Sequence, residues 1–399
     1  MGLRLLIRCM TPGTLHPTAR VFPGGTVVKI LMHCVYYPPE VGGLESHVHF
    51  LCRALVERGH QVDVVTSRSM PDTDPFEKRD GVSVWRTWFP GKSTSGWIAH
   101  AAGSLPRAIA ASRGADILHA QAFQSIPPLQ TVRAIRGTPL VATWHTSHFL
   151  KLAMRLGWRE LLGRMVSSVD MNLAASREIA DVGERLAPGH RVEPVTNGVE
   201  TSIFAPVAAS LVPPTGRRRR IVVPRRLFAK NGVEYAVRAL PLIAERFDVE
   251  MVLVGDGPER DALERLGGEL GVGERLRFLG VQAHRDMPGI LCSAEVAIFP
   301  SLMEATSVAA LECMACEVPV AASNVGGLPE IVDAQVGALF EPANPEDLAR
   351  EVSLLLGRTD LSSLGKQARQ RVVEKWSNAR LAELHIEIYE ELIRRRRTA

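Results

Sequence analysis

The sequence has few aromatic residues, few cysteines and no long apolar run. Only 6% of its 399 residues are Phe, Trp or Tyr, and six are Cys. So few cysteines in a long chain favour buried free thiols in a reducing compartment over a disulfide-bridged secreted protein. Arg, Glu, Asp, Gly or Pro interrupts every run before the roughly 18 apolar residues that a membrane-spanning helix needs. The composition therefore argues against an integral membrane protein and predicts a cytoplasmic one.

The excess of positive charge is also small. There are 47 Lys and Arg against 43 Asp and Glu, a net charge of +4. This is too little for a general nucleic-acid binder unless the cations cluster, and they do so only in short arginine runs at 217–220 and 394–397. With 46% hydrophobic residues, the chain can form two globular domains of roughly 150 to 200 residues each.

The first 26 residues differ from the rest. Three prolines and the paired glycines 24–25 oppose a regular element, and the apolar stretch is too short for a signal peptide. We expect this segment to be disordered, or to reflect a mis-called start, and the fold to begin at Val27 or Val28.

Strand and helix patterns then alternate along the chain. Ile30 to Val35 predicts a strand, Leu44 to Leu55 has the spacing of a helix face, and Val62 to Val65 predicts the next strand. Further strands are predicted at 117–119, 140–143, 171–174, 220–223, 249–254, 277–279, 295–299 and 320–322. A helix is predicted from Val233 to Ala244, and another with Asn344 as its N-cap. This order is typical of parallel sheets covered by helices.

A proline-rich stretch without periodicity divides the chain. We predict an N-terminal domain at 27–205, a linker at 206–217, a C-terminal domain at 218–375, and a helix at 376–399 that could pack back on the first domain. The predicted fold class is α/β, with two Rossmann-like doubly wound domains facing a cleft. Ligands of such sheets bind outside the carboxyl ends of the strands, so the site should lie between the domains.

The segment 297–332 carries the most chemical information. A strand leads to a loop with Glu304, and a helix is predicted to open near Thr306 and Ser307 and to contain Glu312. Eight helical positions would separate the two carboxylates by roughly 12 Å. A helix N-terminus binds anions, so a diphosphate there would place a sugar near one carboxylate and a ribose near the other. The alternative is purely structural, with Glu304 capping the helix and Glu312 pairing on its surface.

Several motifs in the same order resemble the retaining glycosyltransferases of family 4, also called group 1, which have the GT-B fold. These are PPEVGGLESHVHFLCRALVERGHQVDVVT at 38–66, VATWHT at 141–146, VTNGVETSIFAP at 195–206, VPRRLFAKNGVEYAVRAL at 223–240, VLVGDGPERDAL at 252–263 and RFLGVQAHRDMP at 277–288. Each motif alone is weakly specific, whereas their common order is highly specific. The resemblance covers residues 28 to about 390.

The resemblance implies a role for each matching residue. Glu312 would hold the ribose of a nucleoside-diphosphate sugar, Glu304 and His145 would lie at the transferred sugar, and Arg226 and Lys230 would neutralise the diphosphate. Thr306, Ser307, Gly42 and Gly43 would approach the donor. The sequence departs from the family pattern at two places. Lys230 follows Arg226 by four positions where relatives have five, and Asn231 stands between Lys230 and the glycine. Residues 305–307 stand where relatives frequently have Gly-Phe-Gly.

The resemblance also implies a mechanism without a metal or cofactor. The leaving diphosphate would accept the proton of the acceptor hydroxyl during attack on the same face of the sugar, and the two cations with the helix terminus would supply the positive charge. No Asp-x-Asp motif for Mg²⁺ occurs. Cys313 and Cys316 have neither a second pair nor a histidine cluster, which favours buried packing over zinc binding.

Three alternatives remain open at this stage. The residues VGDG at 254–257 suggest a nicotinamide-dependent oxidoreductase, but Arg260 stands where its fingerprint requires glycine. A sugar-nucleotide epimerase or phosphorylase of the same fold, or a non-catalytic sugar-binding relative, would share the motifs.

The acceptor is predicted to be a glycan or a lipid-linked saccharide. Residues 149–159 are predicted as one basic amphipathic helix, which could lie on the inner face of an anionic membrane or pack on the core with a solvated basic face.

Overall fold

The computed structural model describes residues 27–40, 42–210, 218–304 and 306–398. Within them the chain forms two mainly parallel β-sheets, one on either side of residue 210. The predicted leading segment 1–26 and residues 211–217 of the predicted linker lie outside the described residues. Among those that are described, no helix is long and apolar enough to cross a membrane.

The N-terminal sheet has eight strands. They are β1 (Lys29–Cys34), β2 (Gln61–Ser67), β3 (Phe76–Arg79), β4 (Val82–Thr87), β5 (Ile117–Gln121), β6 (Leu140–Trp144), β7 (Met171–Ala174) and β8 (Val192–Pro194). Their order is β3-β4-β2-β1-β5-β6-β7-β8. Every neighbouring pair is parallel except β3 and β4, which form a hairpin. The predicted strands of this half are confirmed.

Six α-helices of the described chain connect the strands of this sheet. They are α1 (Gly43–Glu57), α2 (Thr94–Ala111), α3 (Ile126–Arg136), α4 (Thr146–Ala153), α5 (Leu156–Ser167) and α6 (Arg177–Leu186). The predicted helix after β1 is confirmed, and Val48, Leu51 and Leu55 are its fully buried residues at the predicted spacing.

The prediction of one continuous helix over 149–159 is wrong. The structure ends α4 at Ala153 and begins α5 at Leu156, with Arg155 in an extended conformation. Leu152 and Leu162 are both buried, yet on one straight helix ten residues would set them about 80° out of phase. The break lets each helix turn its own apolar face to the core.

The C-terminal sheet has six parallel strands. They are β9 (Arg219–Val223), β10 (Val249–Val254), β11 (Leu276–Gly280), β12 (Val296–Phe299), β13 (Val320–Ser323) and β14 (Gly337–Phe340). Their order is β11-β10-β9-β12-β13-β14. The five predicted strands of this half are confirmed to within one residue at each end.

The remaining helices lie against this sheet or return to the first one. They are α7 (Val233–Ala244), α8 (Arg260–Glu269), α9 (Met287–Leu291), α10 (Val308–Ala315), α11 (Leu328–Ile331), α12 (Pro345–Leu356), α13 (Leu361–Lys375) and α14 (Asn378–Thr398). The Asn344 side chain accepts a hydrogen bond from Asp347 N at 3.0 Å, so the predicted cap of α12 is confirmed.

Helix α14 packs on the N-terminal sheet although it follows the C-terminal one. The chain returns to the first sheet beside Val199. The Val199 N–H donates to Trp376 O at 2.8 Å, and the Val199 carbonyl accepts from Asn378 N at 2.9 Å. Leu381, Tyr389 and Leu392 of α14 then join the core beneath β1 and α1.

Each sheet has a central strand from which the connections diverge. Strand β1 lies between β2 and β5, and β9 lies between β10 and β12. The carboxyl ends of these strands are where open α/β sheets bind ligands. The residues that follow β1 and β9 are therefore candidates for a functional site.

Candidate functional site

Glu304 lies in the loop between β12 and α10, and the expectation that it stands one helical run from Glu312 is wrong. Helix α10 begins only at Val308, with Ser307 as its N-cap. The estimated helical separation of the two carboxylates therefore does not apply. The loop carries Glu304 outside the helix, whereas Glu312 lies on α10 itself.

Glu304 forms an ion pair with Arg225, a residue that the sequence reasoning did not single out. The same guanidinium donates to Ser301 Oγ at 2.9 Å and to Asn231 Oδ1 at 3.0 Å. The Arg225 side chain is only 12% exposed. Asn231 in turn donates to the carbonyl of Arg226, so the residue that departs from the family spacing organises the turn after β9.

Arg226 and Lys230 follow Arg225 on the same turn, and both are exposed. Partial burial, and then the positive charge of Arg226, lower the pKa of Lys230, and Arg225 and Lys151 act in the same direction against the opposing charge of Glu304. Neither Arg226 nor Lys230 makes an ion pair with any residue of the described chain. Unpaired cations held close together form a site for an anion.

Glu312 contacts a second residue that the sequence reasoning missed, His284. Its Oε1 lies 3.3 Å from His284 Nε2, and its side chain is 14% exposed. Burial raises the pKa of Glu312, and the contact with His284 opposes that shift. The His284 ring stacks on Phe50 of α1 at 5.8 Å between centroids. Glu312 thus lies near the face where α1 meets the C-terminal domain.

The hydroxyl groups of Thr306 and Ser307 have partners within the protein. Thr306 Oγ1 donates to the carbonyl of Ala175, across the boundary between the sheets. Ser307 Oγ accepts from Ala310 N at 3.3 Å. In this arrangement both hydroxyl groups form hydrogen bonds within the protein and shape the loop before α10.

Gly42 and Gly43 lie at the N-terminus of α1, after β1. Gly42 has a φ of 175°, which is extended, and Gly43 is helical, so neither backbone conformation requires glycine. A Cβ atom added to Gly43 would meet no atom within 4 Å. Burial raises the pKa of the nearby Glu45, and the charge of Arg226 opposes this shift. The backbone at Gly43 therefore borders open space, and Glu45 lies within electrostatic range of Arg226.

His145 caps α4 directly after β6 and is 3% exposed. Its Nε2 atom lies 2.8 Å from Gln121 Oε1, at the end of β5. Burial, and secondarily the neighbouring His385, lower the pKa of His145 to about 3. The ring is therefore neutral near pH 7 and suits hydrogen bonding rather than general base catalysis.

The glycines of the VGDG sequence have a packing role. A Cβ atom at Gly255 would collide with the carbonyl of Arg225, and one at Gly257 with that of Leu227. The two glycines allow the loop after β10 to lie against the turn that holds Arg225 and Arg226. In the described residues there is no group of three or more His, Cys, Asp or Glu side chains that could hold a metal ion.

The comparisons with known proteins identify the family and the fold. A family model described as Glycosyltransferase Family 4 matches residues 41–203, and one described as Glycosyl transferases group 1 matches residues 218–358. The chain belongs to the group 1 and family 4 glycosyltransferases. It has the GT-B fold and is an enzyme of the hexosyltransferase type, as the motifs predicted.

Three similar proteins span nearly the same length. An uncharacterized glycosyltransferase of Methanocaldococcus jannaschii is 28% identical over 91% of this chain and 98% of its own. The MMP alpha-(1->4)-mannosyltransferase of Mycolicibacterium hassiacum is 27% identical over 89% of this chain and 96% of its own. The structure of Anabaena HepE in complex with UDP and glucose has a TM-score of 0.73 at 17% identity, over 91% of this chain and 100% of that one.

Proposed function

We propose that this enzyme transfers a sugar, with retention of configuration, from a nucleoside-diphosphate sugar to a glycan or lipid-linked acceptor in cell-surface polysaccharide or glycolipid synthesis. The observation that carries the proposal is the unpaired cation pair Arg226 and Lys230 beside Glu304 at the carboxyl end of β9. Two fixed cations suit the negative charge of a diphosphate. HepE, which has the same fold, was crystallised with UDP and glucose.

The proposed chemistry assigns each group a task. The bond between the anomeric carbon and the diphosphate breaks while the acceptor oxygen bonds to the same face, and the departing phosphate takes the acceptor proton. Arg226 and Lys230 stabilise the negative charge that grows on the leaving group, and so favour the transition state over the ground state. Glu312 binds the ribose. Glu304 and neutral His145 orient the transferred sugar, and no metal is required.

The first test is a panel of nucleotide sugars. Uridine, guanosine and adenosine diphosphate sugars are each added to the full chain, and unfolding is followed by thermal shift. A ligand at 100 times its dissociation constant stabilises the folded state by about 2.7 kcal/mol. A donor that shifts the transition is then assayed for transfer to glycan and lipid-linked acceptors. Release or epimerisation of the sugar without any acceptor would contradict a transferase role.

Replacing Arg226 or Lys230 with alanine is expected to weaken binding of the nucleoside diphosphate about 10-fold to 100-fold, because each removes a charged hydrogen-bond donor to phosphate. Binding of the nucleoside without phosphate should not change. Calorimetric titration with both ligands measures the difference. Arg238→Ala, an exposed arginine on α7, is the matched control. Equal losses for nucleoside and nucleoside diphosphate would contradict the assignment.

We also propose that the turn between α4 and α5 contacts an anionic membrane at its inner face. Met154 and Leu156 are each 87% exposed there, and Lys151, Arg155 and Arg159 are exposed beside them. Apolar side chains that insert among lipids and cations that meet anionic headgroups are the two components of peripheral membrane binding. Such a contact would bring a lipid-linked acceptor to the N-terminal domain.

The double variant Met154→Ser/Leu156→Ser is expected to lower the fraction of protein that floats with vesicles of phosphatidylglycerol and phosphatidylcholine at least several-fold. The reason is the loss of the two exposed apolar side chains. Flotation at low salt measures the fraction, and Ile135→Ser, another exposed apolar residue, is the control. If the unmodified chain does not float with anionic vesicles, or if both variants float equally, the membrane proposal fails.

A further inference from the structure

One side chain of the neighbouring strand fixes the orientation of His145. His145 Nε2 lies 2.8 Å from Gln121 Oε1, and its Nδ1 has no hydrogen-bond partner within the described chain. An amide oxygen only accepts, so the proton of the neutral ring is on Nε2. The Nδ1 atom is then an acceptor with nothing bound to it.

The orientation of the Gln121 amide therefore decides the tautomer of His145. Gln121 Nε2 lies 3.1 Å from Met32 Sδ and 3.4 Å from His119 Nε2. A thioether cannot donate a hydrogen bond, so the amide nitrogen belongs on this side and the oxygen on the side of His145. Turning the amide by 180° would present N–H to His145 and move the imidazole proton to Nδ1.

The His119 ring contacts the Gln121 amide. It is fully buried. Its two ring nitrogens lie 2.7 Å from Thr143 Oγ1 and 2.7 Å from Tyr389 Oη. A ring held at both nitrogens cannot rotate without breaking a buried hydrogen bond.

Tyr389 comes from the far end of the sequence. It lies on α14, 270 residues after His119, and it is fully buried. His385, one turn earlier on the same helix, stacks on His119 with 5.6 Å between ring centroids. Its Nδ1 atom donates to Leu381 O at 2.8 Å. The docked helix thus holds His119 by a hydrogen bond and by ring stacking.

We propose that Gln121 is the positioning residue for His145, and that Tyr389, through His119, keeps Gln121 in the orientation that places the His145 proton on Nε2. The inference rests on the proposed function, which places His145 at the transferred sugar. The nitrogen that carries the proton decides which hydrogen bonds the ring can make there. The last helix of the chain thereby controls a residue of the reacting site without touching the substrate.

Protonation does not control the hydrogen bonding of the His145 ring near pH 7. Burial lowers the pKa of His145 to about 3 and that of His385 to about 4, and it lowers the pKa of His119 well below its usual value. All three rings stay neutral near pH 7. The property of His145 that can still vary is the nitrogen that carries its proton.

Nuclear magnetic resonance tests the tautomer without any substrate. Two-bond ¹H–¹⁵N spectra of the histidine-labelled full chain at pH 7.5 should show His145, assigned with His145→Asn, as a single Nε2–H form. Gln121→Leu should bring its two nitrogen shifts towards each other, and Tyr389→Phe should do so to a smaller extent. Gln121→Glu, whose carboxylate only accepts, should restore the native form. Tyr235→Phe in the C-terminal domain is the control.

Kinetics then measures the consequence for transfer. Gln121→Leu is expected to lower kcat about 10-fold to 100-fold with little change in the KM of the donor, by analogy with the loss of a partner that orients a metal-bound histidine. Added to His145→Asn, it should cause no further loss. An unchanged His145 tautomer in both Gln121→Leu and Tyr389→Phe would overturn the inference. Because the spectra need no donor, that result is distinct from a failure of the proposed function.

Discussion

Replacing Glu304 with glutamine is expected to lower kcat for sugar transfer about 10²-fold to 10³-fold, a loss typical of removing one preorganised group that stabilises charge in a transition state. Glutamine keeps the shape of the side chain and an oxygen that can accept from Arg225. The loop should therefore stay in place, and the affinity for the nucleoside diphosphate should change less than about threefold. Product formation and calorimetric titration measure the two quantities separately.

The matched variant for this prediction is Glu312→Ala. Glu312 lies next to His284 on the side of α1, where we propose that the ribose binds. Its loss should therefore weaken nucleotide binding about 10-fold to 100-fold. Glu341→Gln, at an exposed site, controls for a change of charge alone. Equal activity of the Glu304 and Glu312 variants and the native chain would contradict the donor-site assignment.

Acidification is expected to destabilise the protein steeply below about pH 6.5. Among the residues that the structure describes, six histidines are buried, and burial lowers the pKa of each of them: His33, His47, His100, His119, His145 and His385. In the unfolded chain these rings bind protons below about pH 6.5, whereas in the folded chain they do not until a lower pH. The unfolded state thus binds more protons, so the free energy of unfolding falls as the pH falls.

The expected size of the effect is large. A buried histidine that stays neutral loses about 2 kcal/mol of stability between pH 6.5 and pH 5. His145 and His385, whose pKa values burial lowers to about 3 and about 4, therefore lose about 4 kcal/mol together, a large part of the stability of a typical domain. The other four buried rings act in the same direction. Carboxyl groups whose pKa burial raises, such as Glu312 and Glu330, act in the opposite direction and offset part of the loss.

Urea unfolding at pH 7.5, 6.5, 5.5 and 5.0 measures this dependence. His100→Phe should reduce the acid slope by up to one proton, since it removes one titrating ring and keeps an aromatic side chain next to Phe89. His190→Asn, at an exposed site, should leave the slope unchanged. A free energy of unfolding that is constant from pH 7.5 to 5.0 would contradict the prediction.

The sequence predicted the two sheets because their strands are short apolar runs separated by helix-like periods, a pattern set by local burial. It missed the β3–β4 hairpin, although Asp80-Gly81 is a common hairpin turn and both residues have positive φ. It also missed the break at Met154 and Arg155. That break depends on which faces of α4 and α5 meet the core, and residues 149–159 alone do not reveal it.

For a similar reason, the sequence predicted the segments that form the site but not all of the contacts between them. The motifs pointed to the turn after β9 and to the loop before α10, and the structure brings those two segments together through Arg225 and Glu304. Arg225 itself was passed over, because adjacent arginines look alike in a sequence and only the fold shows which one turns inward. His284 and Gln121 were passed over as well, since their partners lie 28 and 24 residues away.

The return of α14 has a consequence for biosynthesis. Leu381, Tyr389 and Leu392 fill the core beneath β1 and α1, but the ribosome adds them after the whole C-terminal sheet. Domains generally fold as units, the N-terminal one first during synthesis. Here the nascent N-terminal sheet leaves the ribosome with that part of its interior exposed. The part of the protein that is translated first is therefore the last to be completed.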